Sequence, residues 1–337
     1  MVTAIGAAVR GENVNLHRRM TALAGALIAA GLAANGAAQT YPVGPIRMVV
    51  PFTPGSASDI LARLIQPKLL ESWGQQIVVD NRPSAGGTVA GSIVASAAPD
   101  GYTMMLTSSG FAGSAALYDK LPYDSVKDFA GVTQVVSTPL VVVVAPALGI
   151  KSVKELIALA QQKPGQLNFS SSGIGSGTHY AGELFKLAAG INVVHVPYRG
   201  TPEAINDVIS GRIQFMTAPV LPVMSLVKSG RLLALAVTTR ERMALLPELP
   251  TVAEAALPGF EYDGWYGIFT PAKTPRAVIN KMATEVARIL KLPDVAEKIL
   301  NTGAVPKPST PQEFDKLVRE EIVMRRKVFK AAGVKPD

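Results

Sequence analysis

The fold is decided by the stretch at residues 46–59, which reads IRMVVPFTPGSASD, and by the sequence that follows it. Residues 46–50 form an apolar run that predicts a buried strand. A loop of small and hydroxyl-bearing residues follows. Residues 60–70 then have apolar positions at helical spacing, and Pro67 is expected to kink or end that helix. A strand, a small-residue loop and a helix in this order predict the first unit of an α/β sheet.

The same arrangement recurs at residues 167–179, which read LNFSSSGIGSGTH. A loop that runs from a strand into a helix exposes backbone N–H groups at the start of the helix. Those groups and the helix dipole favour an anion. Two such junctions in one exported chain predict that a small acid is captured between two lobes.

The remaining sequence alternates strands and helices. This rhythm predicts an α/β class with a largely parallel sheet and helices on both faces. Two β-branched runs at residues 132–136 and 140–145 are expected to be separate strands, because Ser-Thr-Pro lies between them. About 300 residues exceed a typical single domain, so two lobes are expected. The other predicted strands lie at residues 76–79, 103–106, 193–196, 213–216, 232–237 and 265–269.

Residues 1–38 have the pattern of a cleaved signal peptide. Two arginines precede an apolar run at residues 21–32, and the small residues Gly36 and Ala38 precede the expected cleavage point. The apolar run is too short to span a bilayer comfortably. We therefore expect a periplasmic protein, secreted through a cleaved signal peptide and not embedded in the membrane.

Composition narrows the possible partners. The chain has a formal net charge of +8, and removal of residues 1–38 lowers it to +6. The basic residues are scattered, and the densest run, Arg325-Arg326-Lys327, is expected to be the solvated face of a C-terminal helix, which argues against a nucleic-acid partner. A mild positive field would still help to attract anions. The absence of cysteine excludes disulfides, a thiolate nucleophile and a lipid anchor on a processed cysteine.

Ligands of open α/β sheets bind at the carboxyl ends of the strands, and five loops of this chain occupy that position. Ser56 and Ser58 are equally suited to capping a helix and to contacting a ligand, whereas Asp59 is expected to have a structural role at the helix start. Arg199 is the cation that could clamp a carboxylate with two hydrogen bonds. The candidate ligand-binding residues are Phe52, Thr53, Ser56, Ala57, Ser58, Thr107, Ser108, Ser172, Ser176, Gly177, Thr178, His179, Tyr198, Arg199 and Ala218.

The sequence offers few residues that could act in catalysis. After the signal peptide the only histidines are His179 and His195, and there is no Gly-x-Ser-x-Gly motif. His195 is expected to be a strand residue of the core, and His179 a neutral hydrogen-bonding or packing group. We predict no catalytic residue, no metal site and no cofactor. A hydrolase or isomerase that uses His179 stays open as an alternative, as does a ligand-dependent partner of a sensor protein.

At the level of whole motifs the chain resembles the Bug proteins, the extracytoplasmic solute receptors of tripartite tricarboxylate transporters (the TctC family). The similar blocks occur in order along essentially the whole mature chain, which makes the resemblance specific. They are Val50-Pro51-Phe52, Pro54-Gly55, Asp80-Asn81-Arg82-Pro83, Ala85-Gly86-Gly87, Pro99-Asp100-Gly101-Tyr102-Thr103, Ser172-Gly173, Gly175-Ser176, Val196-Pro197-Tyr198-Arg199-Gly200, Leu249-Pro250-Thr251-Val252-Ala253-Glu254 and Trp265-Tyr266-Gly267.

The resemblance implies a type II periplasmic-binding-protein fold, with two lobes and a ligand cleft between them. We place lobe 1 at residues 39–139 and 250–337, and lobe 2 at residues 140–249. The resemblance also implies that the ligand is a small organic acid, held by backbone N–H groups and water. It implies the membrane subunits of the transporter as partners. Family members often have a second glycine where this chain has Ser56, so the geometry around the carboxylate is expected to differ.

Overall fold

The strand–loop–helix order of the sequence is the order of the fold. The computed structural model describes residues 41–84 and 87–335, apart from the side chain of Leu221, so the predicted signal peptide at residues 1–38 lies outside the described residues. The strands are β1 (Ile46–Val50), β2 (Ile77–Asn81), β3 (Thr103–Ser108), β4 (Phe129–Val144), β5 (Asn168–Ser171), β6 (Val194–Pro197), β7 (Phe215–Pro219), β8 (Leu233–Val237), β9 (Asp263–Pro271) and β10 (Val305–Pro306). The helices are α1 (Ala57–Trp73), α2 (Thr88–Ala95), α3 (Gly110–Leu117), α4 (Val153–Gln162), α5 (Gly177–Ala189), α6 (Thr201–Ile209), α7 (Val220–Lys228), α8 (Val252–Ala255), α9 (Arg276–Leu290), α10 (Pro293–Leu300) and α11 (Pro311–Ala331).

The first strand–loop–helix unit matches the sequence prediction with one difference. β1 covers the predicted residues, and all of its side chains except Arg47 are fully buried. α1 does not end at Pro67 but continues through it to Trp73. Proline removes one helical hydrogen bond. Ile65 and Leu69 lie fully buried on either side of it, and their packing holds the helix together across that point.

The sheet is parallel at its two ends and antiparallel in its centre. Its strand order is β2-β1-β3-β9-β4-β7-β5-β6, and β8 and β10 both pair with β4. β1 is parallel to β2 and β3, and β5 is parallel to β6 and β7. β9 is antiparallel to β3 and β4, and β4 is antiparallel to β7. The prediction of a largely parallel sheet therefore holds for the two end groups and is wrong for the strands that join them.

β4 is one long strand that connects the two end groups. The expected break at Ser-Thr-Pro is wrong, because the strand runs through Pro139 without interruption. Pro139 pairs with Asp263, the first residue of β9, and the next residue, Leu140, pairs with Pro219 of β7. The missing N–H of proline thus falls where one ladder ends and the next begins, which is where a strand tolerates it.

The C-terminal helix α11 packs into two separate hydrophobic clusters. Phe314 and Ile322 join a cluster with residues of β1, β3 and β9. Val328 and Phe329 join a second cluster with residues of β5 and β7. Because α11 contributes to both clusters, it connects the two parallel ends of the sheet on one face.

Candidate ligand-binding site

The loop between β1 and α1 is held in shape by its own side chains. Ser56 is the N-cap of α1, and its Oγ accepts a hydrogen bond from the backbone N–H of Asp59. The Asp59 carboxylate accepts hydrogen bonds from the Gly55 N–H at 2.9 Å and from Arg63 Nε at 3.0 Å. Burial works to raise the pKa of Asp59, but the hydrogen bonds from Arg63 and Gly55 outweigh it and hold that pKa below its ordinary value. Asp59 therefore has a structural role, as the sequence indicated.

The first turn of α1 keeps free donors. Within residues 41–84 and 87–335, no group accepts a hydrogen bond from the backbone N–H of Ala57 or Ser58. Ser58 Oγ is also without a partner among these residues, although Ser58 is only 1% exposed. A buried hydroxyl with no partner costs free energy, so a ligand or water that bonds to it would be favoured. Phe52 and Thr53 are exposed in the same loop, and the Phe52 and Thr53 carbonyls accept from Asn81 Nδ2 and from the Ser56 N–H.

The loop between β5 and α5 has the same construction. Ser176 is the N-cap of α5, and its Oγ accepts from the His179 N–H at 3.1 Å. Thr178 Oγ1 lies 3.0 Å from both Ser172 Oγ and Ser176 Oγ, and it accepts from the Ser172 N–H. The three hydroxyls therefore bond to one another. In the part of the chain that the structure describes, the N–H groups of Gly177 and Thr178 have no acceptor.

Residues from the other end of the sheet meet the start of α5. A methyl group on Gly177 would lie 2.6 Å from the Tyr262 hydroxyl and 3.3 Å from Ser109 Oγ, so only glycine fits there. Gly113 of α3 likewise packs directly against the Gly175 carbonyl oxygen, and a side chain at Gly113 would overlap it. The loop that follows β3 and the loop that follows β5 are thus in contact.

The other predicted site residues at the ends of β3 and β7 have varied settings. Thr107 is 3% exposed and pairs with Gly267 in the sheet, and Ser108 Oγ accepts from the Gly110 N–H. Ala218 is fully buried in β7 opposite Val141 and packs in a hydrophobic cluster. Ser108 is the one of these residues that retains partial exposure at the carboxyl end of its strand.

The loop after β6 lies beside the loop after β5. The Tyr198 N–H donates to the Ser171 carbonyl, and the Tyr198 hydroxyl donates to Asp207 at 2.6 Å. Burial and this bond to Asp207 raise the pKa of Tyr198 to about 12. The Tyr198 hydroxyl is therefore engaged within the protein, and its ring is the part left for a ligand. Arg199 is exposed, and among the described residues it has no hydrogen-bond or ionic partner.

The two histidines form a stack, in which His179 is buried and His195 is half-buried. His179 Nδ1 accepts from the Gly175 N–H, so that nitrogen carries no proton. The rings of His179 and His195 are 3.9 Å apart and nearly parallel. Burial, together with His179 and Lys186, lowers the pKa of His195 to about 3. Both histidines therefore act in packing and hydrogen bonding, and His195 lies in a strand as expected.

The groups around this stack resemble a nucleophile–base pair and a metal-ligand cluster. His195 Nε2 lies 2.7 Å from Ser171 Oγ, which resembles a nucleophile–base pair, but Ser171 is fully buried and a histidine with a pKa near 3 is a weak base. Glu183 could join both histidines as metal ligands, since one ligand atom of each lies within 4.8 Å of the others. Parallel rings direct their nitrogen lone pairs side by side, so they cannot converge on one ion.

Ser109 and Tyr262 are functional candidates that the sequence reasoning missed. Ser109 lies in one of the five loops at the carboxyl ends of strands, but no feature of the sequence distinguished it from its neighbours. Tyr262 precedes β9 and has no motif around it, so only the folded chain brings its hydroxyl to Gly177.

Among the described residues, none of the helices combines the length and the apolar character that a membrane span requires.

The α/β fold and the paired junctions define the class: solved structures with this fold are periplasmic binding proteins, among them BugD. The model of the tripartite tricarboxylate transporter family receptor (TctC) matches residues 61–334. The chain therefore belongs to this family of solute receptors, and the resemblance read from the motifs is confirmed.

Known relatives are similar over nearly their whole length. Protein BugT of Bordetella pertussis is 34% identical over 320 residues, which cover 94% of this chain and 98% of the relative. The solved structure of Rpa4515 of R. palustris with adipate has a TM-score of 0.80 and 35% identity, and the match covers 88% of this chain and all of that one. MatC of Rhodopseudomonas palustris, solved with bound malate, has a TM-score of 0.75 and 32% identity, with 86% and 99% of the two chains covered.

Proposed function

We propose that this chain is a periplasmic, non-enzymatic receptor that captures a small carboxylate and delivers it to the membrane subunits of a tripartite transporter. The observation that carries the proposal is the pair of helix starts whose first donors have no acceptor among residues 41–84 and 87–335. α1 offers the N–H groups of Ala57 and Ser58, and α5 offers those of Gly177 and Thr178. Amides at a helix N-terminus favour an anion, and each junction is built so that its own cap uses only the third amide.

The ligand is proposed to be a dicarboxylate of four to six carbons. Two structural neighbours were solved with adipate and with malate, both of which have this chemistry. One carboxylate would occupy the helix starts, where the amides and Ser58 Oγ face it directly or through water. Arg199 is the candidate partner for the second carboxylate, because it is exposed, has no ionic partner among the described residues and follows β6 beside the loop after β5.

Capture is proposed to proceed by closure of lobe 1 (residues 39–139 and 250–337) on lobe 2 (residues 140–249). β4 and β9 run between the parallel ends of the sheet, which suits them to act as the connecting segments. Lobe 1 would contribute α1 and lobe 2 would contribute α5. A ligand that contacts both lobes binds the closed form more tightly than the open form and so shifts the population toward it.

A thermal-shift comparison of acids with their neutral amides tests this function. Adipate and malate would be compared with adipamide and malamide, which keep the chain length and remove the charge. At a concentration about 100 times Kd, binding stabilises by about 2.7 kcal/mol, which for a chain of this size is a rise in Tm of about 5 °C. We expect one of the acids to give this rise and neither amide to do so. A folded protein that no organic acid stabilises would refute the proposal.

A further inference from the structure

A chain of buried and partly buried hydrogen bonds connects Ser109, which lies beside Gly177 at the start of α5, to the C-terminal helix α11. Ser109 Oγ lies 3.2 Å from the Tyr262 hydroxyl, which accepts from Arg325 Nη2 at 3.2 Å. Arg325 Nε and Nη2 both donate to Glu321 Oε1, at 2.9 and 2.6 Å. The other oxygen of Glu321 accepts from Trp265 Nε1. These five residues come from the loop before α3, the segment before β9, β9 itself and α11, and the function proposed above assigns none of their side chains a role.

Arg325 is the charged centre of this chain and is fully buried. Its guanidinium lies 4.4 Å from the centroid of the Tyr180 ring on α5. Burial opposes its charge, but Glu321 outweighs burial and raises the pKa of Arg325 above its ordinary value, so it stays charged. A buried ion pair is weak evidence for a role in stability, because apolar residues of the same volume often stabilise as well. The burial of Arg325 at this place therefore suggests a role in function.

One donor of Arg325 is left over. Nη1 is buried and has no partner among the described residues. It points to the place where α3 meets the loop before α5: a methyl group on Gly113 would lie 3.4 Å from Nη1, and the same methyl would overlap the Gly175 carbonyl oxygen. No described residue donates to that carbonyl. Arg325 Nη1 and the Gly175 carbonyl, a donor and an acceptor without partners among the described residues, thus lie on either side of the same point beneath the proposed carboxylate site.

We propose that Arg325 is a positioning residue for the carboxylate site. It holds the Tyr262 hydroxyl beneath Gly177, and it supplies Nη1 to the Gly175 carbonyl when the loop before α5 settles on a ligand. The inference rests on the proposed function, because it assumes that an anion binds at the start of α5. It adds that the bound state is stabilised from α11, outside the cleft, and that the environment of Trp265 changes when ligand binds.

The chain contains its own reporter for this inference. It has two tryptophans, so Trp73→Phe leaves Trp265 as the single emitter. In this parent, adipate and malate are titrated by calorimetry and by tryptophan emission. Tyr262→Phe removes only the hydroxyl between Arg325 and Ser109. Tyr123→Phe is the matched control, because the Tyr123 hydroxyl is also buried but has no partner among the described residues.

We expect the better-bound acid to change the Trp265 emission of the parent. We expect Tyr262→Phe to weaken its binding about fivefold, the effect of one hydrogen bond, and to lose at least half of the emission change. Tyr123→Phe should keep both. If Tyr262→Phe does not fold, Arg325→Met with Glu321→Gln replaces it in the affinity comparison. That pair removes both charges, keeps an acceptor for Trp265 and should weaken binding at least fivefold.

The outcomes separate this inference from the proposed function. A parent that binds an acid without a change in Trp265 emission overturns the role of Arg325 and leaves the receptor function standing. The same follows if Tyr262→Phe retains either the affinity or the emission change, or if the double variant lowers the unfolding midpoint while Kd stays within twofold. A folded parent that binds neither acid refutes the proposed function, and this inference with it.

Discussion

Replacing Ala57 with proline would remove one donor from the proposed carboxylate site and little else. Ala57 is the first residue of α1, and proline is favoured at that position because its missing N–H has no partner within the helix. Ser56 precedes it with φ −67° and ψ 161°, an extended conformation that a following proline requires. The helix and its cap should therefore form as before. The free energy of unfolding should change by no more than about 1 kcal/mol.

Ligand affinity should respond strongly to the same change. A hydrogen bond to a charged group contributes about 1.5–3 kcal/mol, so the loss of the Ala57 N–H should weaken carboxylate binding roughly tenfold to hundredfold. Calorimetric titration gives Kd, and urea unfolding gives the stability of the same samples. Ala57→Val is the matched control, since it adds similar bulk and keeps the N–H, and it should bind within about threefold of the parent. Equal affinity of the proline variant and the parent would refute the assignment of this amide.

Three further changes probe the interior around the site. Ser58→Ala should raise stability by about 1 kcal/mol, because it removes a buried hydroxyl that has no partner among the described residues, and should lower affinity about fivefold; a loss of stability in urea unfolding would contradict this. Gly177→Ala places a methyl 2.6 Å from the Tyr262 hydroxyl and should cost about 1–3 kcal/mol, part of which the added change Tyr262→Phe should restore in thermal unfolding. His195 has its pKa lowered to about 3, so the unfolded chain binds a proton that the folded one does not between pH 6.5 and 3. As the pH is lowered from 6.5 to 3, the free energy of unfolding should decrease by at most about 1.4 kcal/mol per pH unit. His195→Asn should make this dependence on pH less steep. Equal slopes for the variant and the parent would contradict the low pKa.

Local patterns predicted the elements that local physics determines. The apolar run of β1 and the capping role of Ser56 at α1 are properties of adjacent residues, and the structure has both in place. The expected strand break at Pro139 is wrong, and of the two effects expected of Pro67, a kink or the end of the helix, the structure contradicts the end. Pro67 lies inside a helix and Pro139 inside a strand, because burial of the neighbouring residues and the change of pairing partner decide those positions. Tertiary context of this kind cannot be read from a window of sequence.

In the candidate site, too, some features depend on adjacent residues and others on the folded chain. The sequence located both helix starts, because glycines and hydroxyls before a helix have a direct physical meaning. It did not locate Tyr262 or Ser109, and its expectation that Arg325 lies on a solvated helix face is wrong, because Arg325 is fully buried. These side chains come from three distant parts of the chain, and only the folded sheet and α11 bring them under the start of α5. Their role depends on long-range packing, which leaves no periodic or spaced signal in the sequence.

A crystal structure with the tightest-binding organic acid tests the main claim most directly. We expect one carboxylate whose oxygens lie about 2.7–3.2 Å from backbone nitrogens at the starts of both α1 and α5, directly or through a single water. Those nitrogens belong to Ala57, Ser58, Gly177 and Thr178. A carboxylate held by side chains alone, or one that touches only a single helix start, would contradict it.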